Sequence, residues 1–178
     1  MTKNKIELKK YIREIPNWPV KGVNFKDITT LLQNPKVFRY TVDQMCKPFL
    51  KLKIDKIVAI DARGFLLASP MAYKMNCGVV LVRKKGKLPY KTIEKEYQKE
   101  YGVDILAMHQ DAIKKGDKVL IVDDLLATGG TIAATVEMVE SLGGEIEGMS
   151  FIIDLPFLGG SENLKKYKLE YLISYESE

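Results

Sequence analysis

Histidine and cysteine are scarce in this 178-residue sequence, which has a single histidine, His109, and two cysteines, Cys46 and Cys77. One histidine excludes a metal centre built from several imidazole ligands. His109 is also the only imidazole available to a Ser-His-Asp or Cys-His mechanism, and because no nucleophile pairs with it we expect a structural role. The cysteines lack CxxC spacing, which excludes a zinc ribbon and a disulfide scaffold and favours a reducing compartment.

Long apolar runs are also missing, since the longest has only a few residues and a membrane-spanning helix needs roughly 20. The N-terminus is charged throughout and lacks the apolar stretch of a secretory signal, so we expect a cytoplasmic protein without a membrane partner. The net charge of +5 suggests an anionic ligand. Without a basic stripe, that charge is too small to indicate nucleic acid, and we expect no nucleic-acid partner.

What the sequence does contain is ordinary globular composition, with 46% hydrophobic and 29% charged residues. We therefore predict a single domain, 1–178. Near its start, apolar residues between Ile6 and Ile15 have the spacing of a short helix, which the prolines that follow would end. Asn34 and Pro35 have the residue types of a helix N-cap and first turn, and they predict a second helix from there.

Four short runs are continuously apolar, which is typical of strands buried on both faces of a parallel sheet. They are residues 56–60, 78–82, 118–122 and 149–153. Helical spacing follows two of them, in 65–75 and 131–142, and predicts an open α/β sheet with helices on both sides. Alternating apolar residues near the C-terminus predict an edge strand, and the polar stretch 83–104 predicts a functional loop or a hairpin. Ligands bind such sheets beyond the carboxyl ends of the strands.

The turn after Val122 reads DDLLATGGT, from Asp123 to Thr131. Its glycines allow the backbone to approach a ligand, and the N–H groups and threonine hydroxyls at the helix start suit a phosphate. The paired carboxylates would repel a phosphate but accept hydrogen bonds from vicinal hydroxyls, so the whole string suits a ribose 5-phosphate. A bare TGGT turn would fit an ordinary helix start equally well. The string matches neither the P-loop nor the GxGxxG dinucleotide motif.

The string DDLLATGGT resembles the phosphoribosyl pyrophosphate signature of the type I phosphoribosyltransferases, in the form found in adenine phosphoribosyltransferases. Further segments resemble that family's other motifs in the same order: GVNFKDIT from Gly22, DARGF from Asp61, RKKGKLP from Arg83, EYG from Glu100, and Asp154-Leu155. The resemblance implies the type I phosphoribosyltransferase fold, an open and mostly parallel α/β sheet flanked by helices. It also implies an N-terminal hood that binds the base (1–34) and a flexible catalytic loop (83–104).

The activity that the resemblance implies is a purine-salvage pentosyl transfer, in which adenine and 5-phosphoribosyl 1-pyrophosphate give AMP and pyrophosphate. Arg63 and Glu100 are the implied catalytic residues, Arg63 contacting the leaving pyrophosphate and Glu100 exchanging a proton with the purine. The implied contacts to 5-phosphoribosyl 1-pyrophosphate or AMP come from Ala62, Arg63, Arg83, Lys84, Lys87, Asp123, Asp124, Ala127, Thr128, Gly129, Gly130 and Thr131. Mg²⁺ is the implied cofactor, held mainly by substrate and water with no direct protein ligand, and a homodimer is the implied assembly.

Adenine would lie between Phe25 and Leu155, with backbone groups near Lys26 and the Asp27 carboxylate at its edge. Lys26 stands where arginine is common in the family, and a lysine offers a point charge in place of a planar fork. This departure leaves open a phosphoribosyltransferase for another base, such as xanthine, hypoxanthine or orotate. A non-catalytic regulator that binds 5-phosphoribosyl 1-pyrophosphate is the alternative from another class. The basic segment after Arg83 could also be a solvated loop or a nucleic-acid patch.

Overall fold

The computed structural model describes residues 5–99 and 102–177, which form ten strands and five α-helices. The strands are β1 (Arg13–Pro16), β2 (Asn24–Asp27), β3 (Lys56–Ile60), β4 (Gly78–Lys84), β5 (Thr92–Lys99), β6 (Gly102–His109), β7 (Lys118–Val122), β8 (Leu125–Leu126), β9 (Glu145–Asp154) and β10 (Leu169–Ser174). The helices are α1 (Thr29–Leu32), α2 (Pro35–Cys46), α3 (Arg63–Met75), α4 (Gly130–Ser141) and α5 (Gly160–Asn163), with 3-10 turns at Leu8–Tyr11, Lys47–Phe49 and Pro156–Leu158.

One sheet in the order β10-β9-β7-β3-β4-β6-β5, with β8 beside β9, forms the centre of the molecule. The strands from β10 to β4 run parallel, whereas β6 and β5 are antiparallel to their neighbours. The mostly parallel sheet predicted from the sequence is therefore confirmed, and β10 is the predicted edge strand. The chain continues from β3 to one side of the sheet and from β7 to the other. Such a switch point opens a crevice at the carboxyl ends of the two strands.

Helices cover both faces of the sheet because each parallel strand is apolar on both sides. On one face, α2 and α3 contribute side chains to a buried cluster that includes Phe49, Leu67 and Met71. On the other, α4 and β6 pack over a second cluster that includes Val139 and Phe151. None of the helices in the described ranges is long and apolar enough to span a membrane.

The N-terminal segment differs from the predicted helix between Ile6 and Ile15. Only a 3-10 turn, Leu8–Tyr11, forms there, and the chain then enters β1, which pairs antiparallel with β2. Leu8 is buried as its spacing suggested, but Ile15 pairs with Phe25 in the two-stranded sheet. A helix of about ten residues is marginal without packing, and pairing with β2 satisfies the same backbone groups at lower entropic cost.

The polar stretch 83–104 takes one of the two forms that the sequence left open, because most of it forms a β-hairpin. Strands β5 and β6 pair antiparallel over their whole length, and β6 joins the sheet through Arg83 and Lys84 of β4. The hairpin lies against α4, where Lys95 forms an ion pair with Glu137.

Candidate active site

The turns after β3 and β7 meet at the switch point around a cavity of about 490 Å³, which we name the polar cavity. Its lining residues are Ile60, Asp61, Ala62, Arg63, Lys84, Lys87, Tyr97, Leu106, Asp123, Asp124 and Thr131. In the turn after β3, the peptide bond between Asp61 and Ala62 is cis. Residues 60 positions apart in the sequence therefore form a single charged site.

A pair of carboxylates, Asp123 and Asp124, forms one wall of the polar cavity. Asp124 is only 4% exposed, and its Oδ2 lies 3.0 Å from Nε of Arg63. That ion pair is not aligned as a hydrogen bond, and Oδ2 has no hydrogen bond to any residue that the structure describes. Burial raises the pKa of Asp124, and the Arg63 guanidinium opposes the rise. Burial, followed by the charge of Asp124, raises the pKa of Asp123 well above its ordinary value. Such a pair is stabilised by hydrogen-bond donors such as hydroxyl groups.

Close backbone approach explains the glycine that follows Arg63. A Cβ on Gly64 would lie 3.0 Å from Oδ1 of Asp123 and 3.0 Å from the carbonyl oxygen of Val122. With glycine there, the first turn of α3 packs directly against the end of β7. This contact brings the Arg63 side chain beside the two carboxylates.

The basic segment after β4 divides into cations that face the polar cavity and cations that do not. Lys84 and Lys87 line the cavity, and Lys84 also pairs with Asp104 at 3.0 Å. Lys85 is directed to Glu94, 2.7 Å away. Arg83, one of the implied contacts to 5-phosphoribosyl 1-pyrophosphate, is not among the lining residues.

Arg83 instead supports the segment that carries Lys87. Its Nε lies 2.7 Å from Oδ2 of Asp61, and its Nη1 donates a hydrogen bond to the carbonyl oxygen of Lys87 at 3.1 Å. The Arg83 guanidinium is therefore paired with the Asp61 carboxylate and does not line the cavity. The geometry thus gives Arg83 a positioning role.

The 127–131 loop connects β8 to α4 as the glycine-rich pattern predicted. Gly129 has φ +83°, and α4 begins at the next residue, so the first N–H groups of the helix lack partners within it. Thr131 lines the polar cavity, whereas Ala127 lines the neighbouring cavity described below, and Thr128, Gly129 and Gly130 line neither. The N–H of Gly160 donates to the carbonyl oxygen of Ala127 at 3.1 Å, which attaches the loop to the start of α5.

A second cavity of about 370 Å³, which we name the apolar cavity, adjoins the first. Its lining residues are Pro19, Val20, Val23, Asn24, Phe25, Lys26, Arg63, Leu125, Ala127, Leu155, Phe157 and Leu158. Phe25 and Leu155 are together here, as the resemblance implied. Trp18 packs edge-on to Phe25, with ring centroids 4.4 Å apart. The cavity suits a flat apolar heterocycle.

The Lys26 side chain points away from both cavities. Its ammonium group is 2.6 Å from Oε2 of Glu14 and lies 4.2 Å from the ring centroid of Tyr175, and the residue is 3% exposed. Only its main chain faces the site, where the carbonyl oxygen is 3.5 Å from Nη1 of Arg63. This arrangement favours the reading in which the residue acts through its backbone.

Asp27 does not have the orientation predicted for a residue that contacts the base. Its Oδ1 accepts a hydrogen bond from the N–H of Thr29 at 2.9 Å, and its Oδ2 accepts one from the Thr29 hydroxyl at 2.8 Å. Both oxygens are therefore engaged in the turn that begins α1, and Asp27 is not among the residues lining the apolar cavity. A short acid before a threonine is well suited to such a turn, and the contact of the Asp27 carboxylate with the base stays a prediction.

Glu100, the predicted proton carrier, lies outside the described residues. Tyr97, on β5, lines the polar cavity, and no pattern in the sequence had singled it out. Phe157 and Leu158, which also line the apolar cavity, were missed, although only Pro156 separates them from the Asp154-Leu155 motif. The Nε2 of His109 donates to the carbonyl oxygen of Pro89 at 2.5 Å, and the structural role expected of His109 stays a prediction.

The fold, the strand-end carboxylates and the glycine-rich helix start define a ligand-binding α/β protein with its site at the switch point of the sheet, and comparison with known proteins gives its family. Residues 28–174 match the phosphoribosyl transferase domain. The chain therefore belongs to the phosphoribosyltransferase family.

Within that family the similar proteins are adenine phosphoribosyltransferases. The chain is 56% identical to the adenine phosphoribosyltransferase of Brachyspira hyodysenteriae over 170 residues, which cover 96% of this chain and 100% of the relative. The crystal structure of the enzyme from Thermoanaerobacter pseudethanolicus superposes with a TM-score of 0.92 at 48% identity, covering 95% of this chain and 98% of that one. The Saccharomyces cerevisiae enzyme, complexed with adenine and an imino-altritol bisphosphate, gives 0.88 at 37% identity, covering 94% and 97%. The resemblance stated from the sequence is thus confirmed.

Proposed function

We propose that this chain transfers the 5-phosphoribosyl group of 5-phosphoribosyl 1-pyrophosphate to adenine, which gives AMP and pyrophosphate. The observation that carries the proposal is that the polar and apolar cavities share Arg63 as a common wall. A sugar in the polar cavity would present its anomeric carbon to a flat base in the apolar cavity. The adenine found with the yeast relative supports adenine as that base.

The sugar would be held at both ends. Its 5-phosphate suits the N–H groups at the start of α4 and the hydroxyl of Thr131, because a helix N-terminus attracts anions. The two ribose hydroxyls would donate to Asp123 and Asp124, whose carboxylates are short of donors. The buried Oδ2 of Asp124 has no hydrogen bond in the described structure and is the best-documented acceptor for such a hydroxyl.

The leaving pyrophosphate would lie among Arg63, Lys84 and Lys87. As its bond to the anomeric carbon breaks, negative charge grows on its oxygens and the sugar becomes cationic, so fixed cations lower the barrier. Hard carboxylate oxygens such as those of Asp123 and Asp124 fit Mg²⁺. Within residues 5–99 and 102–177, however, no three His, Cys, Asp or Glu side chains could hold a metal together. We therefore propose that Mg²⁺ is bound mainly by substrate and water, where it neutralises charge on the pyrophosphate.

Adenine would stack between Phe25 and Leu155. The bond between its ring nitrogen and the anomeric carbon forms as the pyrophosphate bond breaks, and the purine must lose one proton to remain neutral. We propose Glu100 as the group that accepts this proton, on the basis of the EYG motif. Strand β5, which ends one residue before Glu100 in the sequence, reaches the polar cavity through Tyr97.

One assay tests the proposal against its alternatives: AMP formation from adenine, 5-phosphoribosyl 1-pyrophosphate and Mg²⁺, run beside hypoxanthine, guanine, xanthine and orotate. Turnover with adenine at least a hundredfold above the other bases is expected, because a site with hydrogen bonds arranged for one base rejects its analogues strongly. Preference for another base would reassign the substrate. Tight binding of 5-phosphoribosyl 1-pyrophosphate without turnover on any base would indicate the regulator.

We also propose a cytoplasmic homodimer. The two cysteines are free thiols, which suits a reducing compartment. Four exposed apolar side chains lie on the face of the sheet that carries α3: Leu66, Tyr73, Val79 and Leu81. Tyr73 is 92% exposed, and an apolar patch of this kind is typical of an interaction surface.

Sedimentation at micromolar concentration should give the mass of two chains, and Tyr73→Glu should shift it towards one. Tyr171→Glu is a matched control, since Tyr171 is 45% exposed but lies on the edge strand β10, away from the patch. A single-chain mass for the parent protein would contradict the dimer.

A further inference from the structure

The two walls of the apolar cavity belong to segments that are far apart in the sequence. Phe25 is on β2, in the small β1–β2 sheet, whereas Leu155 directly follows β9 of the central sheet. Among the residues that the structure describes, the two sheets share no strand. No ladder of strand hydrogen bonds therefore sets the separation of Phe25 and Leu155, and that separation depends on contacts made elsewhere.

Tyr175, which follows β10, is attached to the segment that carries Leu155. Its N–H donates to the carbonyl oxygen of Asp154 at 3.2 Å, and Ser174 is the register partner of Asp154 in the parallel pair of β10 with β9. Leu155 is the next residue, and its own N–H donates to the carbonyl oxygen of Leu126 at 3.0 Å. Main-chain hydrogen bonds thus fix the position of Tyr175 relative to the Leu155 wall.

Lys26 attaches the Phe25 wall to the ring of Tyr175. Its buried ammonium lies 4.2 Å from the centroid of that ring and 2.6 Å from Oε2 of Glu14, the partner of Lys26 across the β1–β2 pair. A buried charge is costly unless such partners surround it. Movement of β2 away from Tyr175 would remove one of these partners from the ammonium, and the contact therefore opposes that movement.

We propose that Lys26 and Tyr175 are positioning residues for the base, because their contact sets the separation of Phe25 and Leu155. The inference rests on the proposed function, since it takes the apolar cavity to be the base site. The Lys26 ammonium is directed away from the cavity, and Tyr175 is not among the residues that line it. Each side chain therefore acts through the wall that lies next to it in the fold.

The strength of the contact limits the size of the effect. A desolvated cation–π contact corresponds to roughly tenfold in an equilibrium constant. Without it, base binding must hold β2 in place, so KM for adenine should rise by about that factor. The residues that line the polar cavity belong to neither β2 nor the C-terminal segment. KM for 5-phosphoribosyl 1-pyrophosphate should consequently stay within about twofold of the parent value.

The experiment measures initial rates of AMP formation, with each substrate varied in turn, on variants that remove one end of the contact. Lys26→Met keeps an unbranched side chain without the charge, and Tyr175→Leu removes the ring. Each should raise KM for adenine about tenfold. The double variant should be no more than about twofold worse than the poorer single variant, because both substitutions remove the same contact. Tyr175→Leu lies after the last strand, so it tests the contact even if Lys26→Met does not fold.

Two conservative variants should restore the parent behaviour. Lys26→Arg keeps a cation that can lie over an aromatic ring, and Tyr175→Phe keeps the ring. KM for adenine should stay within several-fold of the parent value in the first and within about twofold in the second. A tenfold rise in Tyr175→Phe would overturn the inference, because the hydroxyl and not the ring would then be responsible.

Lys9→Met is the matched control. The Lys9 ammonium lies 4.7 Å from the centroid of the same Tyr175 ring, but Lys9 belongs to the 3-10 turn Leu8–Tyr11 and not to β2. Its loss removes a cation–π contact without releasing the Phe25 wall, so KM for adenine should stay within about twofold. A rise equal to that of Lys26→Met would overturn the inference, because any loss of charge at the ring would then have the same effect.

Melting temperatures and the parent activity separate the remaining outcomes. A role in stability alone would lower the melting temperatures of Lys26→Met and Tyr175→Leu but leave the ratio of the two KM values at that of the parent. With an active parent, that result overturns only the positioning role. A parent protein that forms no AMP from adenine overturns the proposed function, and the inference with it.

Discussion

Gly160→Ala should impair catalysis although Gly160 lines neither cavity. A Cβ at this position would lie 2.2 Å from the carbonyl oxygen of Ala127, 2.9 Å from the N atom of Gly129 and 3.0 Å from the carbonyl carbon of Thr128. All three are backbone atoms, so no side chain can rotate away. The 127–131 loop, or the start of α5, must move by roughly 1 Å to restore an ordinary contact, and a 1 Å displacement can cost about 10²-fold in rate.

The assay is a set of initial rates with varied 5-phosphoribosyl 1-pyrophosphate and saturating adenine. We expect kcat/KM for that substrate to fall about 10²-fold, and overpacking to lower the free energy of unfolding by about 1–3 kcal/mol. Gly116→Ala is the control: it adds the same methyl group where φ is +84° and no atom lies within 4 Å, remote from the site. It should cost about 1–2 kcal/mol of stability through backbone strain and leave kcat/KM unchanged.

If Gly160→Ala kept kcat/KM within twofold of the parent, the contact between the two segments would carry no mechanical constraint. The start of α5 would then not determine the position of the 127–131 loop. An equal loss of kcat/KM in Gly116→Ala would show that general destabilisation, rather than the displaced loop, is responsible.

Three further predictions concern the site itself. Asp123→Asn with Asp124→Asn should weaken 5-phosphoribosyl 1-pyrophosphate binding at least tenfold in calorimetry. The double substitution should also raise the melting temperature at pH 8, by about 2–4 °C for each kcal/mol of unfolding free energy that it restores. The folded-state pKa values of both aspartates are raised, so their ionisation costs stability as the pH rises above the unfolded pKa of about 4. Below about pH 4 both groups are protonated in the folded and unfolded states, and the increase in melting temperature should vanish. Phe25→Ala should raise KM for adenine about tenfold, whereas Lys26→Arg should change it by no more than several-fold, and a switch of preferred base would refute the backbone role. Glu100→Gln should lower kcat by about 10²–10⁴-fold with a smaller change in KM for adenine, and turnover within twofold would make Glu100 an ordinary surface acid.

The strand-end turns were predictable because their chemistry is local. A continuous apolar strand followed by acids and glycines places those groups at the carboxyl edge of a parallel sheet, and Asp123, Asp124 and Thr131 lie there as expected. The sheet, its mostly parallel strands and the edge strand β10 followed from the same patterns of burial. Arg63 was likewise foreseen, although its reach into a second cavity was not.

Contacts between distant segments could not be predicted in this way. The apolar spacing before Ile15 suggested a helix because nothing local shows that Phe25 will pair with it. The ion pair of Arg83 with Asp61 was not foreseen, because Asp61 lies 22 positions upstream in the turn after β3. Gly160 has no pattern of its own, since its importance comes only from the backbone atoms of Ala127 opposite.

The buried ammonium of Lys26 has a consequence for the connectivity of the chain. The ammonium groups of Lys26, on β2, and of Lys9 both lie over the ring of Tyr175, at 4.2 Å and 4.7 Å from its centroid. The beginning and end of the described chain are therefore neighbours beside the β1–β2 ribbon. A short peptide could join them, with new termini opened at the exposed turn around Gly116, and both cavities would retain every segment that lines them.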